Sequence, residues 1–181
     1  MTDEDYWKRQ YQPLRPKAGE REKAVSQIIE NLTGRKLKAV GLGAESEEFL
    51  PGSAASQGHE RGGADYAVIG TNIYLEVTGP NVTVRLSDPL WLRPDKIANA
   101  RSHFPERDTW VVHCVQRVTI RVIQLDQKFF SAHEHGKYVT VHPIIRGATE
   151  TYVAIPADDE SVQDFAALIN HIKNWKARGH K

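Results

Sequence analysis

The sequence has a single cysteine, no apolar run long enough to cross a bilayer, almost no net charge, and no internal repeat or low-complexity tract. Each shortage removes a class of protein. One thiol, Cys114, set between His113 and Val115, excludes a disulfide framework and a cysteine zinc site, and a reducing compartment is expected. Without about 18 consecutive apolar residues no spanning helix is expected. The stretch Met1-Thr2-Asp3-Glu4-Asp5 lacks the basic and apolar regions of a secretory signal, so the expectation is a cytoplasmic protein with no membrane partner. A formal charge of +1 argues against coating nucleic acid by bulk electrostatics, although local patches can still bind phosphate.

What is present suits one domain, since 181 residues bury a substantial core without staples. Residues 1–40 hold nine Lys/Arg against six Asp/Glu, whereas residues 41–110 hold six against ten. An acidic centre between mildly basic flanks suits a cation site approached by a polyanion, and equally suits ordinary solvated faces. Residues 1–19, with Pro13 and Pro16, read as an N-terminal arm, and residues 20–181 as the domain. Val25, Ile28, Ile29 and Leu32 follow helical spacing, with Gly34 just past the end, and predict a helix from about Glu20 to Leu32. Leu37 to Leu42 is a short candidate strand, residues 43–63 a long loop, and Asn81 to Leu86 another strand. Pro94 at a first helical position, followed by Ile97, Ala100 and Phe104, predicts a helix over roughly 94–104. Strands are expected over Trp110–Val115, Val118–Leu125, Tyr138–Ile144 and Thr149–Ile155. A last helix is expected to open at Asp158-Asp159-Glu160-Ser161, with Val162, Phe165, Ile169 and Ile172 as its apolar stripe. The expected class is therefore α/β (mixed α+β), a central mixed sheet flanked by helices.

The segment from Gly62 to Gly79 carries the most chemistry. It reads as two short strands broken at Gly70-Thr71-Asn72. With Thr71-Asn72 as a two-residue loop, Asp65 lies opposite Thr78 and Glu76 opposite Ala67, so both acids share a face as diagonal neighbours roughly 7–8 Å apart at Cα. A divalent ion could bridge them, and a slip of one residue would part them. The other face, Tyr66, Val68, Ile73, Leu75 and Val77, is fully apolar. The acids could also serve more simply, Asp65 capping a turn and Glu76 pairing with an arginine.

This layout resembles the PD-(D/E)xK nuclease superfamily, whose restriction-endonuclease-like fold includes Holliday junction resolvases. There a helix with an early Glu precedes a hairpin bearing an Asp and then Glu-x-Lys, followed by a helix and a further strand. The resemblance covers about residues 20–116, and residues 117–176 would be additional strands and a C-terminal helix. It implies hydrolysis of phosphodiester bonds in nucleic acid, DNA ahead of RNA, with Mg²⁺ or Mn²⁺. The implied metal ligands are Asp65, Glu76, the Val77 carbonyl and Glu22, which is favoured over Glu20 and Glu30 because it lies one turn before the Val25–Ile29 stripe. A homodimer is a further implication. Thr78 stands where lysine is usual and carries no positive charge. Lys96, at the start of the following helix, is the replacement, with Arg101 as a second candidate. If neither reaches the carboxylates, the implied protein is a noncatalytic nucleic-acid-binding or assembly subunit.

Other residues offer rivals. His133 and His135 on one strand face, with His142 nearby, could hold Zn²⁺, or be solvated histidines at a hairpin tip. His59-Glu60 could line the nuclease-like pocket. Cys114 reads as an inert core thiol. Gly41-Leu42-Gly43 is too short for a dinucleotide fingerprint, and Trp91, Trp110 and Trp175 are core or contact residues.

Overall fold

The structure, a computed structural model, describes residues 15–41, 61–80, 84–116, 119–145 and 147–176. The first helix, α1 (Arg15–Thr33), begins earlier than the proline pattern implies. Pro16 occupies its first turn, where the missing N–H is no loss, so residues 15–19 are helical where an arm was expected, and residues 1–14 lie outside the described residues. Val25 and Ile29 are the buried residues of the expected stripe, while Ile28 and Leu32 are exposed. Gly34, with φ +71°, ends α1 by donating its N–H to the Glu30 carbonyl at 2.8 Å.

A six-stranded sheet follows in the order β1 (Leu37–Ala39), β2 (Tyr66–Val68), β3 (Ile73–Thr78), β5 (Asp108–Gln116), β6 (Thr119–Gln124) and β11 (Val162–Asp164). β3 and β5 are parallel and every other pairing is antiparallel. The sheet is thus mixed, and the parallel pair is joined through β4 (Leu90–Leu92) and α2 (Pro94–Ser102). Beyond β6 come α3 (Gln127–Glu134), β7 (Val139–Val141), a small hairpin of β8 (Ile144–Ile145) and β9 (Ala148–Thr149), β10 (Tyr152–Ile155), and α4 (Phe165–Asn174) after β11. β4, β10 and β7 form a second, antiparallel sheet.

Strand periodicity divides the core in two. Val68, Ile73, Leu75 and Val77 pack with Trp110, Val112 and Val122 against Val25 and Ile29 of α1 and Leu168, Ile169 and Ile172 of α4. Val111 and Ile123, on the opposite face, pack with Ile97 and Ala100 of α2, Phe129 and Phe130 of α3, and Leu90, Leu92, Val153 and Ile155 of the small sheet. Helices therefore flank the central sheet on both sides, as expected for the class.

Several elements depart from the sequence pattern. Asp126, whose carboxylate accepts the Phe129 N–H at 2.9 Å, starts a helix where alternation pointed only to a turn. The last helix opens at Asp164, which caps Ala167 N at 3.0 Å, and not at Asp158–Ser161. Asp159 instead folds back on Ser161, taking its N–H at 2.9 Å and its hydroxyl at 2.7 Å, and the chain then pairs with β6 before turning helical. Val84–Leu86 form no strand, and residues 81–83 lie outside the described residues, as do 42–60 with His59-Glu60 and Leu42-Gly43. Among the described residues no helix is long and apolar enough to cross a membrane.

Candidate active site

The hairpin register differs from the expected one by two residues: Tyr66 pairs with Leu75 and Ala67 with Tyr74. The turn is longer than two residues. Gly70 takes φ +79°, Thr71 returns both its N–H (3.1 Å) and its hydroxyl (2.8 Å) to the Val68 carbonyl, and its Oγ1 accepts the Ile73 N–H at 3.0 Å. An even slip leaves every side chain on its expected face. Continuing the ladder by one step brings Asp65 alongside Glu76 in place of Thr78, so the acids are direct neighbours. The Asp65 N–H donates to the Leu75 carbonyl at 2.9 Å, and its Oδ2 accepts the Val77 N–H at 2.8 Å. Val77 thus meets Asp65 through its backbone nitrogen.

Lys96 completes the group. Pro94 starts α2 with Asp95 in its first turn, and the next residue extends its ammonium to Glu76 Oε2 at 2.6 Å and to the Gly63 carbonyl at 3.0 Å. Glu76 is 7% exposed, and Lys96 and Asp65 are partly enclosed. Burial pushes the Glu76 carboxyl up to about 8, against the opposing pull of Lys96, and the Asp65 charge pushes the same way as burial. Asp65 is also raised by burial, with Lys96 and the Val77 N–H opposing. Burial alone would depress the Lys96 ammonium, but the Glu76 and Asp65 carboxylates outweigh it and hold the pKa above its ordinary value. Two enclosed acids share one ammonium, and only when Glu76 gives up its proton as well does the group fall short of positive charge.

Close backbone approach fixes this arrangement. A Cβ on Gly62, whose φ is +74°, would stand 2.2 Å from the Asp95 carbonyl oxygen, and one on Gly79 would stand 2.4 Å from that of Cys114. Arg21 of α1 donates to the Gly79 and Pro80 carbonyls at 2.8 and 3.2 Å, tying the helix to the strand end. The pattern Gly62-Gly63 signalled a turn; the approach to α2 that demands glycine depends on tertiary contact.

Comparison with known protein families, with curated proteins and with solved structures finds no significant match to this chain.

The remaining candidates separate. Thr78 lies on the Glu76 face, two residues on, beside His113 of β5. Glu22 is half-buried on α1 next to Arg21. Among the described residues no group of three or more His, Cys, Asp or Glu is gathered to hold a metal ion, so Glu22 does not complete a three-carboxylate set with Asp65 and Glu76. Arg101 points elsewhere and pairs with Glu134 of α3. The same finding removes the three-histidine zinc centre. His133 lies in α3 with its ring parallel to Phe129, His135 Nδ1 meets the Ser131 carbonyl at 2.6 Å, and His142 Nδ1 meets Thr151 Oγ1 at 3.2 Å. Cys114 is buried, and burial raises its thiol to about 11, as suits an inert core residue. Trp110 is buried and Trp91 exposed. Trp175 donates its indole N–H to Asn72 Oδ1 at 2.8 Å.

The donor set still suits Mg²⁺ or Mn²⁺. Mg²⁺ is commonly held by one or two carboxylates and completes its shell with waters and substrate phosphate oxygens. Asp65 and Glu76 would be those carboxylates, and the second negative charge that appears beside Lys96 when Glu76 ionises is what a cation would offset.

Proposed function

We propose that this chain is a metal-dependent nuclease-like protein with a restriction-endonuclease-like core, hydrolysing phosphodiester bonds in nucleic acid, DNA ahead of RNA. The observation that carries the reading is the meeting of Asp65, Glu76 and Lys96, from β2's entrance, β3 and the crossover helix, with Lys96 Nζ 2.6 Å from Glu76 Oε2. The order of helix, hairpin, helix and parallel strand supports it. A divalent ion held by Asp65 and Glu76 would supply Lewis acidity, activating water and offsetting charge on the phosphate. Lys96 supplies the positive charge that Thr78 lacks, and the enclosed floor around Glu76 strengthens every charge interaction there. The single buried thiol suits a reducing cytoplasm, and a homodimer would address two strands with two such sites.

The test is Mg²⁺ or Mn²⁺ titration with plasmid nicking. Asp65→Ala should abolish both ion binding and nicking; nicking unchanged by that substitution would defeat the proposal. One observation favours a second reading, a noncatalytic nucleic-acid-binding or assembly subunit: Lys96 already occupies Glu76, and the described residues offer no third carboxylate. Ion binding without cleavage of any polynucleotide would select it.

A further inference from the structure

Strand pairing extends the floor of the site beyond the carboxylates. Glu76 lies beside Val111 and Val111 beside Ile123; one step further along the same face, Thr78 lies beside His113 and His113 beside Arg121. The second row is about 7 Å from the first, two residues along a strand. Arg121 is 6% exposed and His113 5%. Arg121 Nη1 donates to the Leu86 and Asp88 carbonyls at 2.7 and 2.9 Å. Among the described residues its Nε and Nη2 are buried with no hydrogen-bond partner in the protein, and so is His113 Nδ1.

Those two arginine nitrogens form one edge of the guanidinium, the fork that grips two oxygens of an oxyanion. Leaving buried donors unmade costs about 1–3 kcal/mol each, more on a charged group. A buried water could accept from both nitrogens but would bring no charge to the guanidinium. Two cations, Arg121 and Arg21, act on His113 and after burial hold it down to about 4, while the Asp88 carboxylate acts on Arg121 and offsets part of its charge. An acceptor that itself carries negative charge suits the open edge of the fork.

We propose that the Nε/Nη2 edge of Arg121, with His113 Nδ1 as a further donor, binds a phosphate group of the polynucleotide one row beyond Asp65 and Glu76. This inference rests on the nuclease reading for the identity of the anion, and it assigns to Arg121 and His113 the holding of substrate. Because the edge is sealed from water, the Val84–Pro89 turn, held by Arg121 through two carbonyls, must shift to admit the phosphate.

The experiment is titration of the full chain with inorganic phosphate, followed through the imidazole ¹⁵N resonances of His113, in wild type, Asp65→Ala and Arg121→Lys. Expected is a saturable shift in wild type and in Asp65→Ala alike, with affinity lowered about tenfold or more in Arg121→Lys, which keeps the charge but loses the fork. A wild-type His113 that does not respond to phosphate would overturn the proposal, leaving water to complete the pair, and so would a response of equal affinity in Arg121→Lys. Neither metal nor cleavage enters this readout. A nicking assay insensitive to Asp65→Ala would defeat the nuclease reading alone, and a silent His113 in a protein whose nicking requires Asp65 would defeat the phosphate subsite alone.

Discussion

Replacing Lys96 by methionine keeps the aliphatic stem and removes only the ammonium, which isolates the charge argument. The ammonium touches Glu76 Oε2 at 2.6 Å and the Gly63 carbonyl at 3.0 Å. Stripping one partner from a buried pair costs about 3–5 kcal/mol when the other must stay charged. Here the other can take a proton: Glu76 sits at about 8 even with Lys96 beside it, and without Lys96 it must rise further. The sign follows. An acid whose folded pKa exceeds its unfolded value binds more protons when folded, so stability falls as pH rises until the folded pKa is passed. For the wild type that fall ends near 8, whereas for Lys96→Met it continues to higher pH. The gap in stability between the two proteins should therefore widen above that point, by up to about 1.4 kcal/mol per pH unit for each proton retained. Urea denaturation followed by far-ultraviolet circular dichroism, from about pH 7 to about pH 9, reads the gap. Mg²⁺ should narrow it, since a cation held only by the folded state stabilises by about 2.7 kcal/mol at a hundredfold excess over Kd. A gap that stays flat with pH, or a Mg²⁺ effect undiminished when Asp65→Ala is added, would refute the reasoning.

Gly62→Ala should destabilise the fold and reduce nicking together, because its Cβ would meet the Asp95 carbonyl at 2.2 Å in a φ +74° backbone and push α2, with Lys96, away from Glu76. Left-handed backbone alone costs a non-glycine residue about 1–2 kcal/mol, and a variant as stable as wild type would contradict the packing. Acid should weaken the wild type through His113. Its folded pKa of about 4 lies below an unfolded value of about 6.5, so stability is intact above the latter and up to about 3 kcal/mol is lost as pH falls toward the former. His113→Gln should remove that component of an acid denaturation curve. Ile29→Ala, at a fully buried position between α1 and the sheet, should cost about 2–5 kcal/mol in chemical denaturation without altering divalent binding.

What sequence alone could reveal depended on whether the deciding contact was local. The two faces of the hairpin were legible because strand parity survives an even error in register: the apolar side holds Val68, Ile73, Leu75 and Val77 in the core, and Glu76 faces the other way. The length of the turn was not legible, since it hangs on Thr71 binding Val68 and on Gly70 entering positive φ. Lys96 was named because the resemblance implies a replacement lysine on the following helix, and Pro94 places it in that helix's first turn. The failure of Glu22 to join the acids could not be foreseen, because α1 packs on the apolar face and its placement follows from Val25 and Ile29 meeting α4 and the sheet. α3 was missed for a related reason, as the short segment between the strands ending at Leu125 and starting at Tyr138 reads as a turn until the Asp126 cap on the Phe129 N–H is seen. His113 and Arg121 become neighbours only through the β5–β6 register, which no local pattern in either segment dictates.

A cation carried on a helix, and not on the strand that bears the carboxylate, depends on tertiary docking for its place. A lysine at position 78 would be aimed by the same two-residue periodicity that aims Glu76, so its placement would follow from β3 alone. Lys96 reaches Glu76 only if α2 is docked, and α2 is docked by Ile97 and Ala100 in the second core and by backbone contact with Gly62, three residues before Asp65. The segment leading into one carboxylate thus positions the partner of the other, through the Gly63 carbonyl that also receives the Lys96 ammonium. Charge balance in the site is therefore coupled to folding of the crossover between β3 and β5, and loosening α2 would expose both acids at once. Position 78 is neutral and short, beside His113. A lysine there would set a second cation against Arg121 and would compete for the same anion. With threonine, the Lys96 charge stays on the carboxylates and the Arg121 fork is left open to the phosphate proposed one row away.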